Sequence, residues 1–243
     1  MRIRKSLPNI VTLGNLFLGY FAIVMATQGR FNFAAWLIFC ATFLDGLDGL
    51  TARLTNQSSE FGAELDSFSD VISFGLAPSI LIYQSSLQHY GFTGLLFGFM
   101  LVAASVIRLV KFNISHSGKP YLVGLVVPAS ALLLVSFHFY ASYYHSALIT
   151  GPLYFGLITI CSIMMLTNIP YRRVPVIPLY GNRHQILCWF SLLVIMGLLI
   201  WKPKLMLLPF MIIYLLTGPV EWLVVYLRKL GKPENYAGEG NRL

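Results

Sequence analysis

The sequence predicts an all-α integral membrane protein of about eight transmembrane helices, on three observations. Hydrophobic residues make up 57% of the 243 residues, and the mean hydropathy is +0.72. Charged residues make up only 11%, against about 25% in a soluble domain, which leaves too little polar surface for water. The apolar residues run on continuously for about 20 residues at a time, as in membrane-crossing helices, and do not alternate as in a β-barrel.

Eight apolar segments are separated by polar or Pro- and Gly-containing breaks. Their approximate extents are 8–28, 32–52, 63–85, 91–112, 121–143, 150–169, 185–201 and 205–227. The basic N-terminus is not followed by a clean cleavage site, so the first segment is predicted to be a retained span. A single multi-pass catalytic domain is expected over residues 1–230, with a polar tail over 231–243.

The basic residues predict the orientation of the chain. With eight spans and a cytoplasmic N-terminus, 14 of the 17 Lys and Arg residues lie in inside segments and 3 lie outside. Cytoplasmic loops of membrane proteins carry such an excess. Both termini are therefore predicted to be cytoplasmic, with the protein in the cell (inner) membrane. The same distribution explains the net charge of +8 and excludes nucleic acid as a partner.

All the aspartates of the chain fall in one short window, as Asp45, Asp48, Asp66 and Asp70. The i,i+3 and i,i+4 spacings put each pair on one face of a helix. The short connection predicts two antiparallel neighbours, with the carboxylates converging near the inner side of the membrane. Carboxylates so close repel one another, and divalent cations with oxygen ligands, Mg²⁺ or Mn²⁺, would neutralise them. The absence of Cys and His from the cluster argues against zinc.

The residues around the aspartates suit a nucleotide diphosphate that carries a lipid tail. Gly49, Ala52 and Gly62 are small and allow a bulky ligand to approach the helix backbones. Arg53 offers a planar cation that matches a phosphate.

This pattern resembles a known family signature. Residues 45–70 read Asp-x2-Asp-Gly-x2-Ala-Arg-x8-Gly-x3-Asp-x3-Asp, similar to the full motif of the CDP-alcohol phosphatidyltransferase family. The resemblance implies that family's fold, two divalent cations held by the four aspartates, CMP as the leaving group, and a homodimer. Gly49, Ala52, Arg53 and Gly62, which suit a lipid-linked diphosphate by their size and charge, are the candidates for binding the CDP-lipid. The resemblance also implies that Asp70 acts as the general base.

The segment after the motif indicates the acceptor. The run 65–78, which contains Ser-Asp-x-x-Ser-Phe-Gly-x-Ala-Pro, resembles the phosphatidylserine synthase branch of the family. Ser67 and Val71 stand where relatives that transfer glycerol phosphate usually carry a proline and a lysine. The N-terminal run 8–15 is also similar to that branch, and within it Thr12 and Asn15 are expected to form interhelical hydrogen bonds. The resemblance therefore implies CDP-diacylglycerol and L-serine as substrates.

A serine molecule is a zwitterion, so its site needs a cation for the carboxylate and acceptors for the ammonium. Arg108 and Lys111, at the inner end of the fourth segment, could hold the carboxylate, and Asn113 could accept from the ammonium. Arg108 and Lys111 are equally consistent with a role as positive-inside anchors.

Two alternatives stay open at this point. One is the same enzyme family with another acceptor, such as glycerol 3-phosphate or an inositol compound. The other is a cation transporter that uses the carboxylates as an ion path, although no internal repeat of the kind common in transporters is present. The sequence also leaves open the choice of metal, the dimer interface, and whether the lipid backbone is of the diacylglycerol or the archaeol type.

Overall fold

The computed structural model describes residues 3–55, 60–114, 121–144, 147–167, 169–172 and 203–230, with side chains for most of them. This part of the chain is almost entirely helical. The α-helices are α1 (Ile3–Thr27), α2 (Phe31–Thr55), α3 (Glu60–Asp70), α4 (Ala77–Ile82), α5 (Gly91–Ile114), α6 (Val127–Tyr144), α7 (Ala147–Leu166) and α8 (Pro203–Leu230). The predicted helical class is thus confirmed, while the predicted segment 185–201 lies outside the described residues.

The prediction of a purely helical chain is wrong in one detail. Strand β1 (Tyr121–Val123) pairs antiparallel with β2 (Pro170–Arg172), so the predicted segment 121–143 begins as a strand and becomes helical only at Val127. Gly124 has a φ of +75°, and its N–H donates to the carbonyl of Ile169 at 2.9 Å. A Cβ there would lie 2.6 Å from the carbonyl oxygen of Met165. Glycine thus permits the turn that ends the ribbon.

Long apolar helices with exposed apolar surfaces support a membrane location. Within the described residues, two helical stretches, Asn9–Thr27 and Phe61–Ile114, are long and apolar enough to cross a membrane. Large side chains on α1 and α5 are exposed, including Phe17 at 62%, Phe92 at 72% and Phe99 at 66%. Apolar surface of this extent is unusual on a soluble monomer and is what a helix presents to lipid.

The helix that follows α3 is not a regular α-helix. Residues Val71–Leu76 form a π-helical turn, π1, and a second one, π2, spans Tyr83–Leu87 before a 3₁₀ turn at Gln88–Tyr90. The N–H of Ala77 bonds to the carbonyl of Ile72, five residues back. Pro78, buried in the first turn of α4, lacks an N–H and would clash with the carbonyl four residues before it in a regular helix. The wider turn relieves that clash, and π-helical turns often occur at functional sites.

Helix α1 packs against both α2 and α3, so it forms a common support for the two helices that carry the aspartates. Both α1 and α2 carry small buried residues: Ala22, Ala26, Ala34, Ala35 and Ala41. Small side chains let membrane helices approach closely.

Candidate metal and acceptor site

Three of the four predicted metal ligands converge in the structure. Asp45 lies on α2, while Asp66 and Asp70 lie one turn apart on α3. Each of the three offers a carboxylate oxygen within 4.8 Å of the others. Oxygens at this separation can share a divalent cation, whose ligand distances are about 2.0–2.6 Å. The predicted meeting of the two helices therefore holds for these three residues.

Negative charge is concentrated at the cluster. Asp70 is buried, Asp45 and Asp66 are half-buried, and the negative charges of both act on Asp70. Among the described residues, Arg108 supplies the opposing positive charge at Asp70. The Oδ1 atom of Asp70 has no hydrogen-bond partner in the described part of the chain. Three converging carboxylates with an unsatisfied buried oxygen on Asp70 fit a divalent metal with oxygen ligands.

Some predicted residues cannot be placed at the site. Asp48, Gly49, Ala52 and Arg53 lie on α2, but their side chains are outside the described residues. Gly62 lies partly exposed on α3, one turn before Asp66. Their roles toward the metal and the CDP-lipid therefore stay predictions.

The three residues predicted to bind serine differ in their surroundings. Arg108 is only 6% exposed, and its Nε atom has no hydrogen-bond partner among the described residues, although Asp70 lies near enough to interact electrostatically. Lys111 is exposed. Asn113 is half-buried, and its Nδ2 donates to the Ser67 hydroxyl at 3.1 Å. The Ser67 hydroxyl lies 3.0 Å from the Ala63 carbonyl, to which it can donate in turn. Asn113 thus links the end of α5 to α3 beside Asp66.

Helix α1 holds α3 and π1 through its own backbone. The Ser69 hydroxyl donates to the carbonyl of Thr12 at 3.2 Å, and the Ser73 hydroxyl donates to the carbonyl of Asn15 at 3.0 Å. These two interhelical bonds are on either side of Asp70 in sequence. Interhelical hydrogen bonds were expected at Thr12 and Asn15, and both residues form them through their backbone carbonyls. The amide atoms of Asn15 have no partner among the described residues. This support by Ser69 and Ser73 was not predicted from the sequence, although their i,i+4 spacing could have suggested it.

The described residues form a largely helical protein with exposed apolar helix surfaces and a carboxylate cluster suited to divalent cations. The family model of the CDP-alcohol phosphatidyltransferases matches residues 5–227. The chain therefore belongs to the CDP-alcohol phosphatidyltransferase family, a family of group-transferring enzymes.

Several curated relatives are similar over much of their length. The chain is 34% identical to the CDP-diacylglycerol–serine O-phosphatidyltransferase of Helicobacter pylori strain J99 over 224 residues, which cover 91% of this chain and 92% of that relative. It is 38% identical to the enzyme of the same name from Bacillus subtilis over 133 residues, 55% of this chain and 75% of the relative. It is 35% identical to the archaetidylserine synthase of Methanothermobacter thermautotrophicus over 171 residues, 70% of each chain.

Proposed function

We propose that this enzyme transfers a phosphatidyl group from CDP-diacylglycerol to L-serine, giving phosphatidylserine and CMP. The observation that carries the proposal is the convergence of Asp45, Asp66 and Asp70 next to the buried Arg108. The three aspartates suit a metal-bound diphosphate, and the Arg108 guanidinium suits the carboxylate of the serine substrate. The Helicobacter relative, aligned over nearly the whole chain, carries the name of this activity.

The metal ligands in this proposal are Asp45, Asp48, Asp66 and Asp70, with two Mg²⁺ or Mn²⁺ ions as the cofactor. When bound, the cations would offset the charge of the diphosphate and the charge that grows on the departing CMP. Gly49, Ala52 and Gly62 leave room for the CDP-lipid, and Arg53 pairs with a phosphate.

Asp70 is the proposed general base. Its carboxylate takes the proton from the serine hydroxyl as that oxygen attacks the lipid-side phosphorus. A new bond forms between the serine oxygen and this phosphorus, and the bond from the phosphorus to the bridging oxygen breaks. CMP leaves with that oxygen, so one displacement completes the transfer without a covalent enzyme intermediate. The unpartnered Oδ1 of Asp70 supports this role.

The acceptor is held from α5 in this proposal. Arg108 binds the serine carboxylate, because its buried guanidinium lies next to Asp70 and has an unpartnered donor. Lys111, which is exposed, adds a second cation at the edge of the proposed serine site. Asn113 offers its amide oxygen to the ammonium while its Nδ2 is bonded to Ser67.

The remaining architecture is proposed on the same basis. Residues 1–230 form one catalytic domain of about eight spans, with both termini and the active site on the cytoplasmic side of the inner membrane. The polar residues 231–243 form a tail. The enzyme acts as a homodimer among membrane lipids and has no nucleic-acid partner.

The test is mass spectrometry of the lipid products made by the purified full-length protein. The protein is given CDP-diacylglycerol, Mg²⁺ or Mn²⁺, and separately L-serine, glycerol 3-phosphate or inositol. Phosphatidylserine together with stoichiometric CMP is expected only with serine. A phosphatidyl product with another alcohol and none with serine would overturn the choice of acceptor. No metal-dependent CMP release with any alcohol would overturn the enzyme assignment and favour a transporter.

A further inference from the structure

Buried polar atoms without partners gather around one place in the described structure. Apart from the hydroxyl of Ser162 on α7, they belong to the amide of Asn15, Oδ1 of Asp70 and Nε of Arg108. These three residues are 1%, 8% and 6% exposed, respectively. Burying a polar group without a hydrogen bond is costly, so three such residues, on helices that pack against one another, indicate a missing ligand.

The contacts between the helices place the three residues around the same turn of helix. Asn15 accepts a bond from Ser73 at its backbone carbonyl, and Ser73 lies three residues after Asp70. Helix α5 contacts π1 as well, since a Cβ on Gly75 would lie 3.1 Å from the Cβ of Ser105, one turn before Arg108, and Arg108 interacts electrostatically with Asp70. Helices α1 and α5 therefore both contact π1, directly after Asp70.

The unpartnered atoms match the polar groups of an α-amino acid that carries a hydroxyl. Arg108 offers a donor and a positive charge, Asp70 offers an acceptor, and the Asn15 amide offers one of each. A phosphate or a simple carboxylate would use only the donor half of that amide. A zwitterion uses both halves, because it presents a carboxylate and an ammonium on the same carbon.

We propose that the side-chain amide of Asn15 is part of the binding site for the amino-acid acceptor. Its Nδ2 donates to the serine carboxylate alongside Arg108, and its Oδ1 accepts from the serine ammonium. The inference rests on the proposed transfer to serine and adds a residue on α1 to a site otherwise built from α3 and α5. The serine hydroxyl then points toward Asp70.

The test is steady-state kinetics of Asn15→Leu, a replacement of similar size without polar atoms. Loss of hydrogen bonds to charged groups is expected to raise KM for serine about tenfold or more, while KM for CDP-diacylglycerol stays within about twofold. Asn32→Leu is the matched control, since Asn32 is exposed at the start of α2. Removal of a buried unpaired amide should not lower the thermal stability of the ligand-free variant.

Each other outcome has a defined meaning. An unchanged KM for serine in Asn15→Leu, or an increase confined to KM for CDP-diacylglycerol, would overturn the role of Asn15. If the leucine variant does not fold, Asn15→Ala gives the same comparison of the two KM values. A wild-type protein that never incorporates serine would refute the proposed function itself, so the two failures are distinguishable.

Discussion

The hydroxyl of Ser73 donates a hydrogen bond to the backbone carbonyl of Asn15 at 3.0 Å. This bond joins π1 to α1 directly after Asp70. Such an approach requires a small residue one turn further along α1, where Gly19 faces Ser73. The position of Asp70 thus depends on a helix that contributes no carboxylate to the cluster.

We predict that Gly19→Ala destabilises the protein. An added Cβ would lie 2.7 Å from Cα of Ser73, so α1 and π1 must separate, at a cost of about 1–3 kcal/mol. A lower apparent unfolding temperature in detergent and reduced turnover are expected. Gly156→Ala on α7 is the control, because nothing lies within 4 Å of its Cβ position. Equal stability of the two variants would contradict the close packing described.

We predict that Asp70→Asn lowers turnover by about 10²–10⁴-fold. The amide cannot take the serine proton, although it is nearly the same size as the carboxylate. The measurement is serine-dependent CMP release at saturating metal and both substrates. Glu64→Gln is the control on the same helix, since Glu64 is exposed, and it should keep near-normal activity. Near-normal turnover in Asp70→Asn would remove the base assignment.

We predict that chelation of divalent cations abolishes transfer and that added Mg²⁺ or Mn²⁺ restores it. Mutation of a residue that only orients a metal ligand typically lowers metal affinity by about 10–100-fold. Asp45→Asn changes a proposed ligand itself, so it should raise the metal concentration for half-maximal activity by at least that factor. Titration of activity with each metal measures this shift. Full activity in the presence of a chelator, or a metal dependence unchanged by Asp45→Asn, would rule out a metal at the cluster.

We predict that Ser67 and Asn113 are energetically coupled. Their side chains lie 3.1 Å apart, from Nδ2 to Oγ, and a hydrogen bond of this kind contributes about 0.5–1.5 kcal/mol. A double-mutant cycle with Ser67→Ala and Asn113→Ala, followed by denaturation, should give a coupling energy near that range. Strict additivity of the two single effects would show that the bond does not hold α5 to α3.

The spacing of the aspartates was sufficient to predict that carboxylates from α2 and α3 meet. Asp45, Asp66 and Asp70 meet because helical periodicity puts the α3 pair on one face, and a short connection joins α2 to α3. The helical class was predictable because the hydrocarbon core of a membrane holds no water to bond the backbone N–H and C=O groups. A spanning chain must therefore pair them internally, in helices or closed barrels.

The support of the site was not predictable to the same degree. Ser69 and Ser73 donate hydrogen bonds to backbone carbonyls of α1. Every residue has such a carbonyl, so the sequence does not indicate which ones accept these bonds. The π-helical turn depends on Pro78 together with the helices around it, so local propensity alone cannot place it. Asn15 was expected to bond between helices, and only the three-dimensional packing shows that its amide is unpartnered within the described residues.

The exposed aromatic side chains of α1 and α5 have a kinetic consequence. If Phe17, Phe92 and Phe99 face acyl chains, the enzyme and its lipid donor meet by lateral diffusion in two dimensions. The rate would then follow the mole fraction of CDP-lipid in the surface, and not its concentration in the bulk volume. Adding inert detergent at constant total CDP-lipid should therefore slow the reaction, while the water-soluble acceptor continues to obey ordinary bulk saturation.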